Sequence, residues 1–276
     1  MTKRRSRFFN RCKPRKYYNP FAMTIQATFQ YRMNMLLMML FSLVPLVAII
    51  SLWHALFAER EMIGGYTLEM MITYLLVAKV LELVLLPEIH WSIQDEISSG
   101  GLSKYLIKPF SYIGYWFANN LGTKLVQVAI AAVPLSLIIL LNLESFQAPD
   151  WQHVLPFLLA SAAALVLYFM IYYSLSLLSL YFVEISSFFF TVDIIIELLA
   201  GTLIPLDLLP SPFNTVVQWL PFGYLINFPV NIYLGYIPVS EMWQGIGIQA
   251  IWCVLFYSLG RLLWKRGLTK YESVGA

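Results

Sequence analysis

The chain has 276 residues, of which 59% are hydrophobic and only 12% are Asp, Glu, Lys or Arg, with a net charge of +3. Soluble domains carry about 25% charged residues, so the polar side chains here are too few to cover a water-facing globule. These figures exclude a soluble enzyme, a disordered regulator and a secreted disulfide scaffold. They point to an all-α polytopic membrane protein, because the apolar residues come in blocks of the roughly 20 needed to cross a bilayer as a helix.

The charge is unevenly placed. Lys3, Arg4, Arg5, Arg7, Arg11, Lys13, Arg15 and Lys16 make residues 1–18 a basic tail, and Arg261, Lys265, Arg266 and Lys270 lie near the other terminus. Between Leu125 and Gly260 there is no Lys or Arg. Basic residues flanking membrane segments stay on the cytoplasmic side, so both termini are expected in the cytoplasm and the number of crossings is expected to be even. A polar stretch, Asn19 to Asn34, separates the basic tail from the first apolar block, which argues against a cleaved leader. Anionic membrane lipids are the expected partner of the tail, rather than nucleic acid. Cys12 and Cys253 fall in different environments and in no metal-ligand spacing, and no metal site is expected.

Asn19-Pro20 suits a helix start. Phe21, Ile25, Phe29 and Met33 recur every four residues, so 19–34 is predicted as an amphipathic interfacial helix lying along the inner membrane surface. Residues 35–264 are predicted to hold six transmembrane helices, over about 35–57, 66–89, 124–143, 154–182, 188–205 and 242–264. A charged cytoplasmic segment, 90–112, lies between the second and third. Between the fifth and sixth, 206–240 contains Pro210, Pro212, Pro221, Pro229 and Pro238 yet remains apolar and aromatic. Repeated proline forbids one straight helix, and such apolarity is odd for a loop in water. Short re-entrant helices dipping into the outer leaflet reconcile the two. Residues 265–276 form a cytoplasmic tail.

Charged side chains inside spans are costly and mark candidate pathways. Lys79 and Glu82, at i and i+3, can pair on span two. Asp193 and Glu197, at i and i+4, share one face of span five with no cation on their helix. Either set can serve as a proton relay or polar path, or as a satisfied seam between packed helices. Trp219, Phe222 and Tyr224 in the outer aromatic region are candidates for lining an exit. No phosphate-binding GxxxxGK[ST] loop, HExxH or GxSxG occurs, so no catalytic residue is assigned and the chain is not expected to be an enzyme.

Residues 91–97, Trp-Ser-Ile-Gln-Asp-Glu-Ile, form a short helix stopped by Gly100-Gly101. The run Ile97-x-x-Gly100-x-Leu102-x-x-x-Leu106-Ile107-Lys108-Pro109-Phe110-Ser111 resembles a segment of ABC-2-type transporter permeases, within a subgroup once catalogued as a domain of unknown function. The resemblance extends to the interfacial helix, the six spans and the re-entrant region. Ser98 and Ser103 depart from it, where a basic and an acidic residue are expected.

The resemblance implies that this segment is a coupling helix docking into a separate ATP-binding subunit. Ile93, Gln94, Glu96, Ile97, Gly100 and Leu102 would be contacts, with Lys108-Pro109 the pivot back into the membrane. It also implies a second permease as homo- or heterodimer partner. ATP and Mg would sit on the partner ATPase, with no cofactor on this chain. On that basis the chain is expected to be the permease of an ATP-driven exporter in a prokaryotic inner membrane, moving a lipid-like or amphiphilic cargo. The alternative is a proton-coupled secondary transporter using Glu82, Asp193 and Glu197.

Overall fold

The computed structural model describes Met23, residues 32–182 and residues 184–271. The basic tail 1–18, most of the predicted interfacial helix 19–34 and the final residues 272–276 lie outside the described residues. Among the described residues the fold is helical, with a lone bridge between Ile63 and Tyr66. The helices are α1 (Arg32–Phe57), α2 (Leu68–Leu85), α3 (Ile89–Ser98), α4 (Ser103–Leu106), α5 (Tyr112–Leu141), α6 (Trp151–Ser176), α7 (Ser186–Leu199), α8 (Ser211–Gln218), α9 (Asn227–Tyr233) and α10 (Val239–Gly267). Short 3-10 turns occupy Leu143–Ser145, Leu177–Leu180, Leu206–Leu208 and Phe222–Tyr224.

Five helical stretches among the described residues are long and apolar enough to cross a membrane: Leu36–Phe57, Leu68–Ser98, Tyr112–Leu141, Trp151–Leu180 and Val239–Gly267. The fifth predicted span is corrected. In place of a helix over 188–205, α7 has 14 residues. At 1.5 Å per residue it reaches about 21 Å, short of a hydrocarbon core about 30 Å thick. Gly201 is what stops it. Its φ is +77°, and a Cβ there would lie 2.8 Å from the Tyr74 hydroxyl and 2.9 Å from Asn227 Cβ. Only glycine combines that backbone with that approach. The third span is also longer than predicted, starting at Tyr112 rather than near Lys124, so Lys124 lies within the helix.

Helix α2 is the centre of the bundle, with Met71, Ile72, Tyr74, Leu75, Leu76 and Ala78 all buried. A helix apolar on every side is stable only when surrounded. Helix α1 lies along it through Leu43, Leu46, Ile50, Trp53 and Phe57, a seam of alternating three- and four-residue steps. The remainder of α1, including Phe41, Val44, Val47 and Leu52, is exposed and apolar, as a lipid-facing surface must be. On the other side α6 and α10 pack closely. Ala160 and Ala164 are fully buried, and the Ser174 hydroxyl donates across to the Phe256 carbonyl at 3.0 Å. Small residues and interhelical hydrogen bonds are the usual means of helix association where water offers no hydrophobic drive.

The membrane-length helices alternate in direction up to α6, and α10 runs parallel to α6, which gathers the connections at two ends. One end holds α3, α4, the start of α5 and the close of α10, whose Trp264 stacks on Tyr112 at 4.8 Å. It carries Lys104, Lys108, Lys265 and Arg266 and is called the basic end here. The far end holds the 58–67 turn, the 142–150 connection and the proline-rich stretch before α10, and Tyr236 there donates to the Gly65 carbonyl at 3.0 Å. The chain passes from the basic end at Ser186, bonded to Gln94 at 2.9 Å, to the far end at Tyr236 through α7 and broken segments.

Candidate functional site

Three sets of residues stand out, and the first is the segment between α2 and α5. Pro87 forces Leu86 into extended backbone (ψ 111°) and ends α2. Helix α3 then starts at Ile89 and stops at Ser99, where Gly100 adopts φ +77°. Its amide donates to the Ile97 carbonyl at 3.2 Å, and the Leu102 amide reaches back to Glu96 at 3.1 Å. Glu96 is buried, and its two carboxylate oxygens hold opposite sides of the fold: Lys104 at 2.9 Å and the Tyr112 hydroxyl at 2.9 Å. Lys104 and Lys108 also lie over the Tyr105 ring at 4.9 and 5.4 Å. Burial, then hydrogen bonding to Tyr115 and Glu96, pushes the Tyr105 hydroxyl above the ordinary tyrosine range, so it stays a donor.

The residues nominated from the sequence divide by burial. Ile93, Glu96, Ile97, Gly100 and Leu102 are turned inward, and Gln94 is half-buried. Lys108 and Pro109 are exposed, as are the apolar side chains of Trp91 (41% exposed), Leu106 (48%) and Ile107 (86%). Trp91 is not among the residues nominated from the sequence; it is partly exposed on the first turn of α3 and packs on His90 and Phe189.

The second set lies inside the bundle. Lys79 Nζ grips both oxygens of Glu82, at 3.0 and 3.1 Å. His90, on the first turn of α3, donates from Nε2 to Asp193 on α7 at 3.2 Å, because a carboxylate can only accept. The His90 ring is boxed by Trp91, Tyr172 and Phe189, with centroids 4.8 to 5.3 Å away. Its Nδ1 is buried without a partner. Gln127 donates to Glu88 at 3.2 Å, and Lys124 is buried on the same helix. Glu82, Glu88, His90, Asp193 and Glu197 line one cavity of about 160 Å³. Helices α2, α3 and α7 thus contribute to the same site. Sequence spacing revealed Lys79 with Glu82 and Asp193 with Glu197 but missed His90, Glu88 and Lys124. A single Lys within an apolar run was the available signal for Lys124; nothing local announced the His90–Asp193 contact across 103 positions.

The third set ties the far end together. The Tyr74 hydroxyl donates to the Gly201 carbonyl at 2.6 Å and lies 2.9 Å from Asn227 Oδ1. The Tyr66 hydroxyl and Asn231 Nδ2 both donate to Asp207 Oδ2, at 3.1 and 3.2 Å. Burial, then the adjacent Asp207 charge, raises the Tyr66 hydroxyl above its ordinary range. Tyr224 lines a cavity of about 610 Å³ here. Phe222 is half-buried, and Trp219 is exposed. Among the described residues no group of three His, Cys, Asp or Glu side chains is arranged to hold a metal ion.

A family model described as an ABC-2 family transporter protein matches residues 43–275. No curated protein matches the chain.

Proposed function

This chain belongs to the ABC-2 family of transporter proteins, and we propose that it is the permease subunit of an ATP-driven exporter. Family membership implies a multi-pass membrane component, generally not catalytic itself, that associates with an ABC ATP-binding subunit. In this proposal ATP and Mg are held by that subunit, and a second permease completes the pathway.

The observation that carries the coupling assignment is the compact fold of residues 89–112. Its inner residues are locked by Glu96, while Trp91, Leu106 and Ile107 face outward at the basic end. We assign the docking contact to those outward residues together with Lys108 and Pro109. Ile93, Glu96, Ile97, Gly100 and Leu102 shape the segment from within. The positive-inside rule supports a cytoplasmic basic end, and the membrane in this proposal is a prokaryotic inner membrane. Both termini lie there if α7 and the broken segments after it form a sixth crossing, with 206–240 re-entering from the outside. Movement of α3 is passed to α7 through His90–Asp193 and Gln94–Ser186. Nucleotide-driven closure of the ATPase pair thereby shifts the permeases between two arrangements.

The carboxylates around the inner cavity favour one competing mechanism, proton-coupled transport through Glu82, Asp193 and Glu197. Transport in proteoliposomes containing the permease and ATPase separates the two. Dependence on ATP with indifference to an uncoupler supports the exporter. Transport that needs a proton gradient and no ATPase overturns it.

A further inference from the structure

The far-end cavity has the volume of a small-molecule site, about 610 Å³, within the roughly 300 to 1,000 Å³ typical of such pockets. Its apolar side comes from Val217, Phe228, Ile237 and Ile248, and its polar side includes two carboxylates, Asp207 and Glu241. Among the described residues no Lys, Arg or His lines it. The 58–65 turn, bonded to Tyr236 at the Gly65 carbonyl, sets Arg60 between Glu59 and Glu61 and carries a net negative charge.

Asp207 is not an incidental surface acid. The residue is exposed, yet Tyr66 and Asn231 both donate to its Oδ2, which orients the carboxylate. Asn231 is itself buried, and its Oδ1 acceptor has no partner. Glu241 stands opposite in the first turn of α10, exposed and outside that network. The cavity therefore offers acceptors and negative charge beside an apolar wall. An anionic headgroup meets repulsion there, whereas a positive centre carrying hydrophobic groups satisfies both sides.

We propose that this cavity is a cargo site for amphiphilic organic cations, with Asp207 and Glu241 facing the positive centre. The assignment of such a ligand as exported cargo rests on the permease function proposed above; its binding to the cavity does not.

The test is equilibrium binding of radiolabelled tetraphenylphosphonium to the full-length chain in zwitterionic phosphatidylcholine nanodiscs, with empty nanodiscs subtracted. Tetraphenylborate, nearly the same shape with the opposite charge, is the comparison. Saturable binding of the cation is expected, with little protein-dependent binding of the anion. Asp207→Asn and Glu241→Gln are each expected to weaken the cation by about tenfold, the effect of one charge at about 6 Å across a partly hydrated cavity. Glu241→Gln touches no internal hydrogen bond described here, so it stays informative if Asp207→Asn perturbs folding. Protein-dependent binding of tetraphenylborate equal to that of the cation overturns the proposal, as does unchanged affinity in Glu241→Gln and in a folded Asp207→Asn. Because no ATPase is present, failure here leaves capture of an ATP-binding subunit intact, and failure of that capture leaves this binding intact.

Discussion

Glu96 is the residue on which the shape of the 89–112 segment most depends, and its two bonds differ in strength. Tyr112 donates to it in a buried setting, and hydrogen bonds to charged groups contribute about 1.5–3 kcal/mol. Lys104 is more than half exposed, and solvent-screened pairs of that kind contribute at most about 1 kcal/mol. Tyr112→Phe is therefore expected to loosen the segment by about 1.5–3 kcal/mol, and Lys104→Ala by less than about 1 kcal/mol. Glu96→Ala loses both bonds and strands a buried hydroxyl, so it is expected to cost about 2–4 kcal/mol. Amide hydrogen exchange across residues 97–111, with the protein in nanodiscs, reads these values as local opening. Each roughly 1.4 kcal/mol corresponds to tenfold faster exchange. Equal acceleration in Lys104→Ala and Tyr112→Phe, or none in Glu96→Ala, would refute the clamp.

Three further perturbations test other parts of the molecule. Lys79→Met is expected to destabilise by several kcal/mol on the order of a broken buried pair, and adding Glu82→Gln should restore much of that, because the penalty lies in the stranded charge; thermal unfolding of single and double variants decides it. Gly201→Ala is expected to cost about 1–3 kcal/mol through its left-handed backbone and the crowding against Tyr74 and Asn227, measured by the same assay. His90→Ala and Asp193→Ala are expected to be non-additive by about 0.5–3 kcal/mol in a double-mutant cycle, and additivity would show that α3 and α7 are not coupled through that contact.

Much of the architecture is legible in the sequence because lipid imposes a simple rule. Long apolar blocks must be helices, and the blocks that became α1, α2, α5, α6 and α10 were visible on that basis. The shortened α7 was less so, since Thr202, Leu203 and Ile204 continue the apolar run. What ends the helix is Gly201 meeting Tyr74 and Asn227, a tertiary approach that no local pattern records. The coupling segment was found by its glycines and by Lys108-Pro109. Its outward residues, Leu106 and Ile107, were not legible, since an amphipathic pattern does not reveal which side the remainder of the protein covers. The polar cluster divided in the same way. Lys79 with Glu82 shared one helix and was readable, whereas His90 with Asp193 required the folded bundle.

The most direct measurement is affinity capture of the full-length chain from its native membrane in mild detergent, comparing wild type with Ile107→Glu and Trp91→Glu. Ile107 is 86% exposed, so its variant should fold with an unchanged melting temperature, whereas Trp91 also packs on His90 and Phe189, so its variant is compared at a matched melting temperature. The wild type is expected to retain an ATP-binding subunit and the variants to lose it. Reproducible purification of the wild type alone would contradict the coupling assignment, and so would full retention of that subunit by both variants.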